Sequence, residues 1–155
     1  MSQPFEENSF SKLNFRALED QDMPVVHAIE QRVYDDPWSL QLLSESLKAP
    51  MTHSVGVFCG EECVGYAIYQ VIFTEGHLLN IAIEKKFQGR GWGVQLLQKI
   101  MKDAREIGAL YLFLEVRPSN ERARKIYETR GFRTLLTREK YYANGEDAIL
   151  MMKDL

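Results

Sequence analysis

A glycine-rich turn, Gln88-Gly89-Arg90-Gly91-Trp92-Gly93, stands between a predicted strand, Leu78–Ile83, and an amphipathic helix predicted from Val94. Glycines let the backbone of such a turn approach a ligand closely, and the amide groups at the start of a helix point at negative charge. The pattern therefore predicts a site for a phosphate or pyrophosphate group. Glycines alone leave a second interpretation open, in which the turn is only a tight connection from strand to helix.

Two common nucleotide-binding turns do not fit this segment. The loop of nucleotide triphosphatases ends in Gly-Lys-Ser/Thr, and no such ending follows here. The dinucleotide fingerprint needs the spacing G-x-G-x-x-G, whereas the glycines here are spaced G-x-G-x-G. The predicted anion site is therefore of another kind.

The rest of the chain alternates strand-like and helical segments. The further predicted strands are Leu13–Arg16, Val55–Phe58, Val64–Phe73, Tyr111–Val116, Phe132–Arg138 and Asp147–Lys153. The further predicted helices follow Asp22, follow Ser39, and run from Asn120 to Thr129, where Gly131 is the stop. Gly108 is the predicted stop of the helix from Val94. This order predicts an α/β fold around one sheet, in which residues 1–12 are a polar lead and residues 13–155 a single domain.

Composition places the chain among soluble globular proteins, with 155 residues, 45% of them hydrophobic and 26% charged. The formal net charge of −3 does not favour nucleic-acid binding, because nucleic-acid binders usually have a basic surplus. The polar, acidic start is not a secretory signal, and the apolar runs are shorter than a membrane span. We expect a cytoplasmic protein with no nucleic-acid and no membrane partner.

Three polar residues in the second half are candidates for chemistry. Alternation along the strand places Glu115 at the end of one face of Tyr111–Val116. Asn120 and Tyr127 are seven residues apart, which is about two helical turns, so they face the same way. A carboxylate can take the proton from an amine before the amine attacks, and a tyrosine hydroxyl can return a proton to a leaving group.

Each of these residues also has an ordinary structural explanation. Asn120 could cap a helix, Glu115 could form a surface ion pair, and Tyr127 could be a core residue. Their joint occurrence soon after the glycine-rich turn favours the functional interpretation.

The motifs together resemble one family. The pattern Q-x-x-G-x-G after a strand is similar to the acetyl-coenzyme A loop of the GCN5-related N-acetyltransferase (GNAT) superfamily. The segments Pro37-Trp38-Ser39, L-E-V-R-P-S-N with its downstream Y-E and G-F, and Tyr141-Tyr142 before E-D-A resemble its protein N-terminal acetyltransferases, including those acting on ribosomal-protein alanine. The resemblance covers the chain from about Leu13 to Met152.

This resemblance implies a GNAT fold, with a mixed, largely antiparallel central sheet flanked by helices, and acetyl-coenzyme A as co-substrate. It implies roles for individual residues: Glu115 as general base, Tyr127 as general acid, and Trp38, Tyr141 and Tyr142 beside the acceptor peptide. The coenzyme would be bound by Ile81, Ala82, Ile83, Gln88, Gly89, Arg90, Gly91, Trp92, Gly93, Val94 and Asn120. Trp92 is bulkier than the residue usual there, which is tolerable where only backbone is needed.

The acceptor implied by the resemblance is the N-terminal alanine of a small-subunit ribosomal protein, and we expect the enzyme to be a monomer. Two alternatives stay open: a GNAT enzyme acting on lysine or a small amine, and a non-catalytic protein that binds acetyl-coenzyme A. No metal is expected, because Cys59 and Cys63 lack further ligands at zinc spacing.

Overall fold

The computed structural model describes residues 13–155, so the polar lead at residues 1–12 lies outside the described residues. Seven strands and four α-helices follow one another within this described range. The strands are β1 (Leu13–Arg16), β2 (Thr52–Cys59), β3 (Glu62–Ile72), β4 (Glu75–Ile83), β5 (Tyr111–Val116), β6 (Arg133–Arg138) and β7 (Ala148–Asp154). The helices are α1 (Met23–Val33), α2 (Leu40–Lys48), α3 (Trp92–Ile107) and α4 (Glu121–Thr129).

The strands form one sheet in the order β1-β2-β3-β4-β5-β7-β6. β1 runs antiparallel to β2, and β7 runs antiparallel to both β5 and β6. The pair β4 and β5 is parallel, and its ladder joins Glu75–Leu78 to Tyr111–Leu114. The predicted α/β fold with a largely antiparallel sheet is confirmed.

Contacts along the chain divide it into two compact units. The first contains the described residues up to Ile68 together with Asn80–Ile100, and the second contains Tyr69–Leu79 and Met101–Leu155. The assignment of residues 13–155 to one domain stays a prediction.

The core of the first unit joins α1 and α2 to the strands. α1 has Pro24 in its first turn, and Ser39 starts α2 by accepting a hydrogen bond from the Leu42 amide at 3.0 Å. Both helices bury apolar side chains because these recur at helical spacing on one face. The buried cluster consists of Leu18, Met23, Val26, Ile29, Leu43, Phe58, Tyr66, Ile68 and Ala82.

In the second unit, the strands β5 and β7 each bury three side chains, and α4 buries that of Tyr127. The β5 side chains alternate as predicted, with Leu112, Leu114 and Val116 buried and Glu115 half-buried on the other face. α4 ends at Thr129, and Gly131 follows with a φ of 93°, a left-handed conformation that glycine adopts without a steric penalty. This turn places the Phe132 ring edge-on to the Tyr127 ring, with centroids 5.6 Å apart.

Candidate functional site

In the first unit, the glycine-rich turn has a conformation that only glycine adopts readily. Gly89 and Gly91 both have a φ of 83°, in the left-handed region that side chains disfavour. A Cβ added to Gly91 would meet no atom within 4 Å, so the space beside its backbone is open. The turn thus offers exposed backbone to a ligand, as a site for pyrophosphate needs.

Helix α3 starts at Trp92, within the last residues of this turn. Its first ladder bond runs from the Gln95 amide to the Gly91 carbonyl at 3.1 Å. The amides of the first turn, including those of Gly93 and Val94, precede that bond and point toward the N-terminal end of the helix. Together with the helix dipole they favour an anion at this end.

The bulky Trp92 does not obstruct the turn, because its side chain faces inward. Trp92 is 1% exposed, and its ring stacks on Phe87 with centroids 5.2 Å apart. The Arg90 guanidinium lies over both rings, at 5.3 Å from the centroid of Phe87 and 5.6 Å from that of Trp92. The packing fixes the turn while its backbone stays available, so the residues present fit a pyrophosphate group.

The strand before the turn is tied to it and to α1. The Gln88 side chain donates to the Ile83 carbonyl at 2.9 Å, which closes the turn back onto the end of β4. The Tyr34 hydroxyl donates to the Ile81 carbonyl, and the Arg32 guanidinium binds the Glu84 carboxylate. This ion pair, led by the hydrogen bond from Arg32, lowers the pKa of Glu84.

Of the three β4 residues expected to bind the pantetheine arm, Ala82 and Ile83 are buried and Ile81 is partly exposed. Trp38, expected beside the acceptor, is partly buried and packs against the core cluster of the first unit. The Trp38 amide donates to the Glu30 carboxylate at 3.0 Å. The binding roles of these residues stay predictions.

In the second unit, Glu115 lies on the half-buried face of β5. Its carboxylate oxygen Oε1 is 3.9 Å from Nη1 of Arg138, and the two side chains are 29% and 50% exposed. A partly solvated ion pair of this kind is weak, so the carboxylate can exchange its partner. An incoming ammonium group could therefore compete with Arg138 for Glu115.

The segment Tyr141-Tyr142 belongs to a loop that is closed by its own backbone. The Tyr142 amide donates to the Glu146 carbonyl at 3.0 Å, and the Gly145 amide donates to the Tyr142 carbonyl at 2.9 Å. The Tyr141 and Tyr142 rings meet edge to face, with centroids 5.2 Å apart. Burial, and then the negative charge of Glu115, raise the pKa of Tyr142. The Arg138 guanidinium lies 5.5 Å from the Tyr141 ring centroid and 3.9 Å from the Glu115 carboxylate, so Arg138 joins the tyrosine pair to Glu115.

Glu146 fastens this loop to the turn after β5. Its carboxylate accepts hydrogen bonds from the Ser119 hydroxyl at 2.9 Å, the Ser119 amide at 3.3 Å and the Asn144 side chain at 3.2 Å. The hydrogen bonds from Ser119 and Asn144 lower the pKa of Glu146. The guanidinium Nη1 of Arg117 adds a hydrogen bond to Asn144 at 3.1 Å.

Asn120 and Tyr127 occupy different environments on α4. Asn120 is exposed and is the N-cap, because its side-chain oxygen accepts from the Ala123 amide at 3.2 Å. Tyr127 is 7% exposed, and burial raises its pKa to about 12. The phenol therefore keeps its proton at neutral pH, which a general acid requires. The predicted convergence of these two residues with Glu115 stays a prediction.

Sequence reasoning missed three residues around these groups. Arg117 contacts the ring of Tyr142, and Arg138, on β6, lies beside the carboxylate of Glu115. A single sequence carries no sign of these two pairings. Glu30 had a detectable signal, because it shares helical spacing with the apolar Val26 and Val33. A carboxylate on a buried helix face needs hydrogen-bond partners.

Within residues 13–155, the His, Cys, Asp and Glu side chains form no group of three or more that could hold a metal ion. In the same part of the chain, no helix is long and apolar enough to cross a membrane.

The fold and the turn belong to a known class of enzymes. The family described as "Acetyltransferase (GNAT) family" matches residues 14–132, so the chain belongs to the GNAT acetyltransferases. Among curated relatives, the chain is 36% identical over 137 residues to the [ribosomal protein bS18]-alanine N-acetyltransferase of Salmonella typhimurium. That alignment covers 86% of this chain and 92% of the relative.

Two further comparisons agree. The chain is 37% identical to the N-alpha-acetyltransferase RimI of Mycobacterium tuberculosis, over 79% of this chain and 78% of that protein. The crystal structure of the ribosomal-protein-S18-alanine N-acetyltransferase from Escherichia coli matches with a TM-score of 0.86 and 32% identity. The matched region covers 92% of this chain and 93% of the chain in that crystal structure. The expected family is thus confirmed, and the chain is an acetyltransferase.

Proposed function

We propose that this chain transfers the acetyl group of acetyl-coenzyme A to the α-amino group of a protein N-terminus. The proposed acceptor is the N-terminal alanine of ribosomal protein bS18, which relatives at 34–36% identity modify according to their names. The observation that carries the proposal is the cluster in the second unit, where Arg138 lies 3.9 Å from the half-buried carboxylate of Glu115 and 5.5 Å from the Tyr141 ring centroid.

The chemistry follows from the charge of the acceptor. An α-amine has a reference pKa of about 7.7–8.0, so much of it is protonated at neutral pH and cannot attack. In this proposal Glu115 takes that proton, directly or through water, and the amine nitrogen then attacks the thioester carbonyl. The carbon–sulfur bond breaks, and Tyr127 gives its proton to the departing thiolate. The acetylated nitrogen still carries two protons and releases one to solvent, Glu115 releases the proton that it took, and Tyr127 regains a proton from solvent. No covalent enzyme intermediate forms.

The first unit supplies the groups proposed to hold the coenzyme. The open backbone at Gly91 and the amides at the start of α3 support a pyrophosphate there. We assign the pantetheine arm to the backbone of Ile81–Ile83, and an additional contact to Asn120. Trp38, Tyr141 and Tyr142 are proposed to contact the acceptor peptide.

Intact-mass analysis tests the proposed acceptor. Purified bS18 with a free N-terminal alanine is incubated with the enzyme and acetyl-coenzyme A, and fragmentation locates the added acetyl group. We expect a single acetyl group on the α-amine, and none on a matched bS18 whose N-terminus is chemically blocked. Acetylation confined to lysine side chains or free polyamines would favour another GNAT acceptor, and bound coenzyme without any product would indicate a non-catalytic protein.

The base is tested by Glu115→Gln, which keeps the shape of the side chain and removes its basicity. We expect kcat to fall by on the order of 10²–10³ at neutral pH. Glu128→Gln, on the exposed surface of α4, is the matched control and should keep the original rate. Near-normal turnover by Glu115→Gln would reject this mechanism.

A further inference from the structure

The buried carboxylate of Glu30 has no role in the chemistry above, although it is 1% exposed. It lies on α1 in the first unit and accepts hydrogen bonds from three directions. Its Oε1 accepts from the Trp38 amide at 3.0 Å, and its Oε2 accepts from the Asn80 side chain at 2.9 Å and from the Tyr66 hydroxyl. A buried carboxylate without such partners would strongly destabilise the fold, so these three hydrogen bonds stabilise the charge of Glu30 in its buried position.

The three donors come from different parts of the first unit. Tyr66 is on β3, and Asn80 is on β4 directly before Ile81–Ile83, whereas Trp38 is in the loop between α1 and α2. That loop contains Asp35, Asp36 and Pro37, and its backbone lies outside the regular elements. The bond to Glu30 therefore connects the loop backbone to the sheet through one side chain.

Two more contacts make α1 a firm base for this connection. The Tyr34 hydroxyl at the end of α1 binds the Ile81 carbonyl, and Arg32 binds the Glu84 carboxylate. Glu30, Arg32 and Tyr34 thus contact β4 and the residue after it at three neighbouring points. A helix held at several points transmits little movement to a group that it supports.

We propose that Glu30 is a positioning residue for the acceptor peptide, because it fixes the backbone of the loop that carries Trp38. Glu30 touches no reacting atom in this arrangement and acts through Trp38. The inference rests on the proposed function, in which Trp38 contacts the peptide. Loss of the Glu30 acceptor frees the loop, so peptide binding weakens while coenzyme binding and the chemical step change little.

The variant Glu30→Met keeps the length of the side chain and removes both acceptor oxygens. We expect the KM for an N-terminal alanine peptide to rise roughly tenfold, which is the scale of one lost bond to a charged group. The KM for acetyl-coenzyme A and kcat should stay within about twofold. Glu30→Gln should return the peptide KM to within about threefold of the original, because its amide oxygen can still accept from the Trp38 amide.

Asp22→Leu is the matched control for a general loss of stability. Asp22 is also a buried carboxylate, 8% exposed, but it lies before α1 and pairs with Arg16. We expect it to lower the melting temperature and leave the peptide KM unchanged. An equal rise of the peptide KM in Asp22→Leu and Glu30→Met would overturn the proposal, as would a folded Glu30→Met with an unchanged peptide KM. If Glu30→Met does not fold, Glu30→Asp takes its place, because its shorter carboxylate recedes from the Trp38 amide.

Amide hydrogen exchange of the unaltered protein tests the same bond without catalysis. The Trp38 amide should exchange at least about 100-fold more slowly than in an unfolded peptide, as hydrogen-bonded amides do. Exchange at the unfolded rate would reject the connection. If the unaltered protein does not acetylate the alanine peptide, the proposed function fails by itself, and the exchange rate still reports on Glu30.

Discussion

The guanidinium carbon of Arg117 lies 3.8 Å from the ring centroid of Tyr142. This distance is short for a cation over an aromatic face, and the same guanidinium is 3.7 Å from the Glu146 carboxylate. Arg117 therefore contacts both the ring of Tyr142 and the Glu146 carboxylate, which closes the same loop. Only a flat, forked cation can make both contacts well.

Arg117→Lys keeps the charge and removes this flat geometry. We expect the KM for the acceptor peptide to rise about fivefold, from the loss of roughly 1 kcal/mol of stacking and hydrogen bonding. The KM for acetyl-coenzyme A should not change. Steady-state rates with each substrate varied in turn measure both constants. Arg105→Lys, the same change in the last turn of α3, is the control, and an unchanged peptide KM in Arg117→Lys would contradict the prediction.

Burial raises the pKa of Tyr127 to about 12, above the ordinary value of a tyrosine, and this has a kinetic consequence. A raised pKa means that the phenol keeps its proton until the pH approaches 12. We expect kcat to show no loss from Tyr127 ionisation between about pH 8 and 10. A decrease centred near pH 10 that disappears in Tyr127→Phe would show that the phenol titrates normally.

Tyr127→Phe should lower kcat by on the order of 100-fold, because the leaving thiolate loses its proton donor. Tyr69→Phe provides a close control in the same unit. Tyr69 is 2% exposed, and burial raises its pKa to about 12 as well. An equal loss of kcat in both variants would mean that removing a buried hydroxyl disturbs the fold, and would contradict a specific role for Tyr127.

The pair Arg16–Asp22 makes the stability of the first unit depend on pH. Two hydrogen bonds from Arg16, at 2.7 and 2.9 Å, lower the pKa of Asp22. A lowered folded-state pKa gives stability that is present above the unfolded value, about 4, and is lost as the pH falls below it.

Asp22→Asn should therefore lower the free energy of unfolding by about 1 kcal/mol at pH 7, a modest amount because Arg16 is partly solvated. The difference from the unaltered protein should shrink as the pH falls from about 4 toward 2. Denaturant unfolding at several pH values measures it. Asp36→Asn, in the exposed loop after α1, is the control and should leave the free energy of unfolding unchanged. If the loss of unfolding free energy in Asp22→Asn were the same at every pH, the pair Arg16–Asp22 would not be the source of the pH dependence.

Much of the fold was predictable because local patterns determine it. The bounds of β1 and β5 match the prediction, and α3 ends before Gly108, whose φ is 119°. Other bounds were predicted less accurately. α3 begins at Trp92, two residues before the predicted Val94, because a helix tolerates Gly93 in its first turn. Phe73, predicted at the end of a strand, lies in the turn after β3 with a φ of 54°, since the hairpin requires that geometry there.

The candidate site was only partly predictable, for a physical reason. Gly89 and Gly91 leave a mark in the sequence because their left-handed backbone disfavours other residues. The partners of Glu115 and Tyr142 leave no such mark, because Arg138 and Arg117 reach them only once β5, β6 and β7 are paired. Side-chain contacts across a sheet depend on register, which a single sequence does not specify.

The proposed coenzyme binding by the glycine-rich turn can be tested by comparing two glycines with similar backbone conformations, of which only one lies in that turn. Gly91 and Gly60 have φ values of 83° and 63°, and a Cβ added to either would meet no atom within 4 Å. Alanine at either position should therefore cost a similar amount of stability, about 1–2 kcal/mol, from the left-handed backbone alone. Only Gly91 lies where the pyrophosphate is proposed, since Gly60 belongs to the turn between β2 and β3.

We expect Gly91→Ala to weaken acetyl-coenzyme A binding at least tenfold, roughly the effect of one lost charge-assisted bond, and Gly60→Ala to leave this binding unchanged. Titration calorimetry with coenzyme A measures the affinity, and equal affinities in the two variants would remove the turn from the coenzyme site.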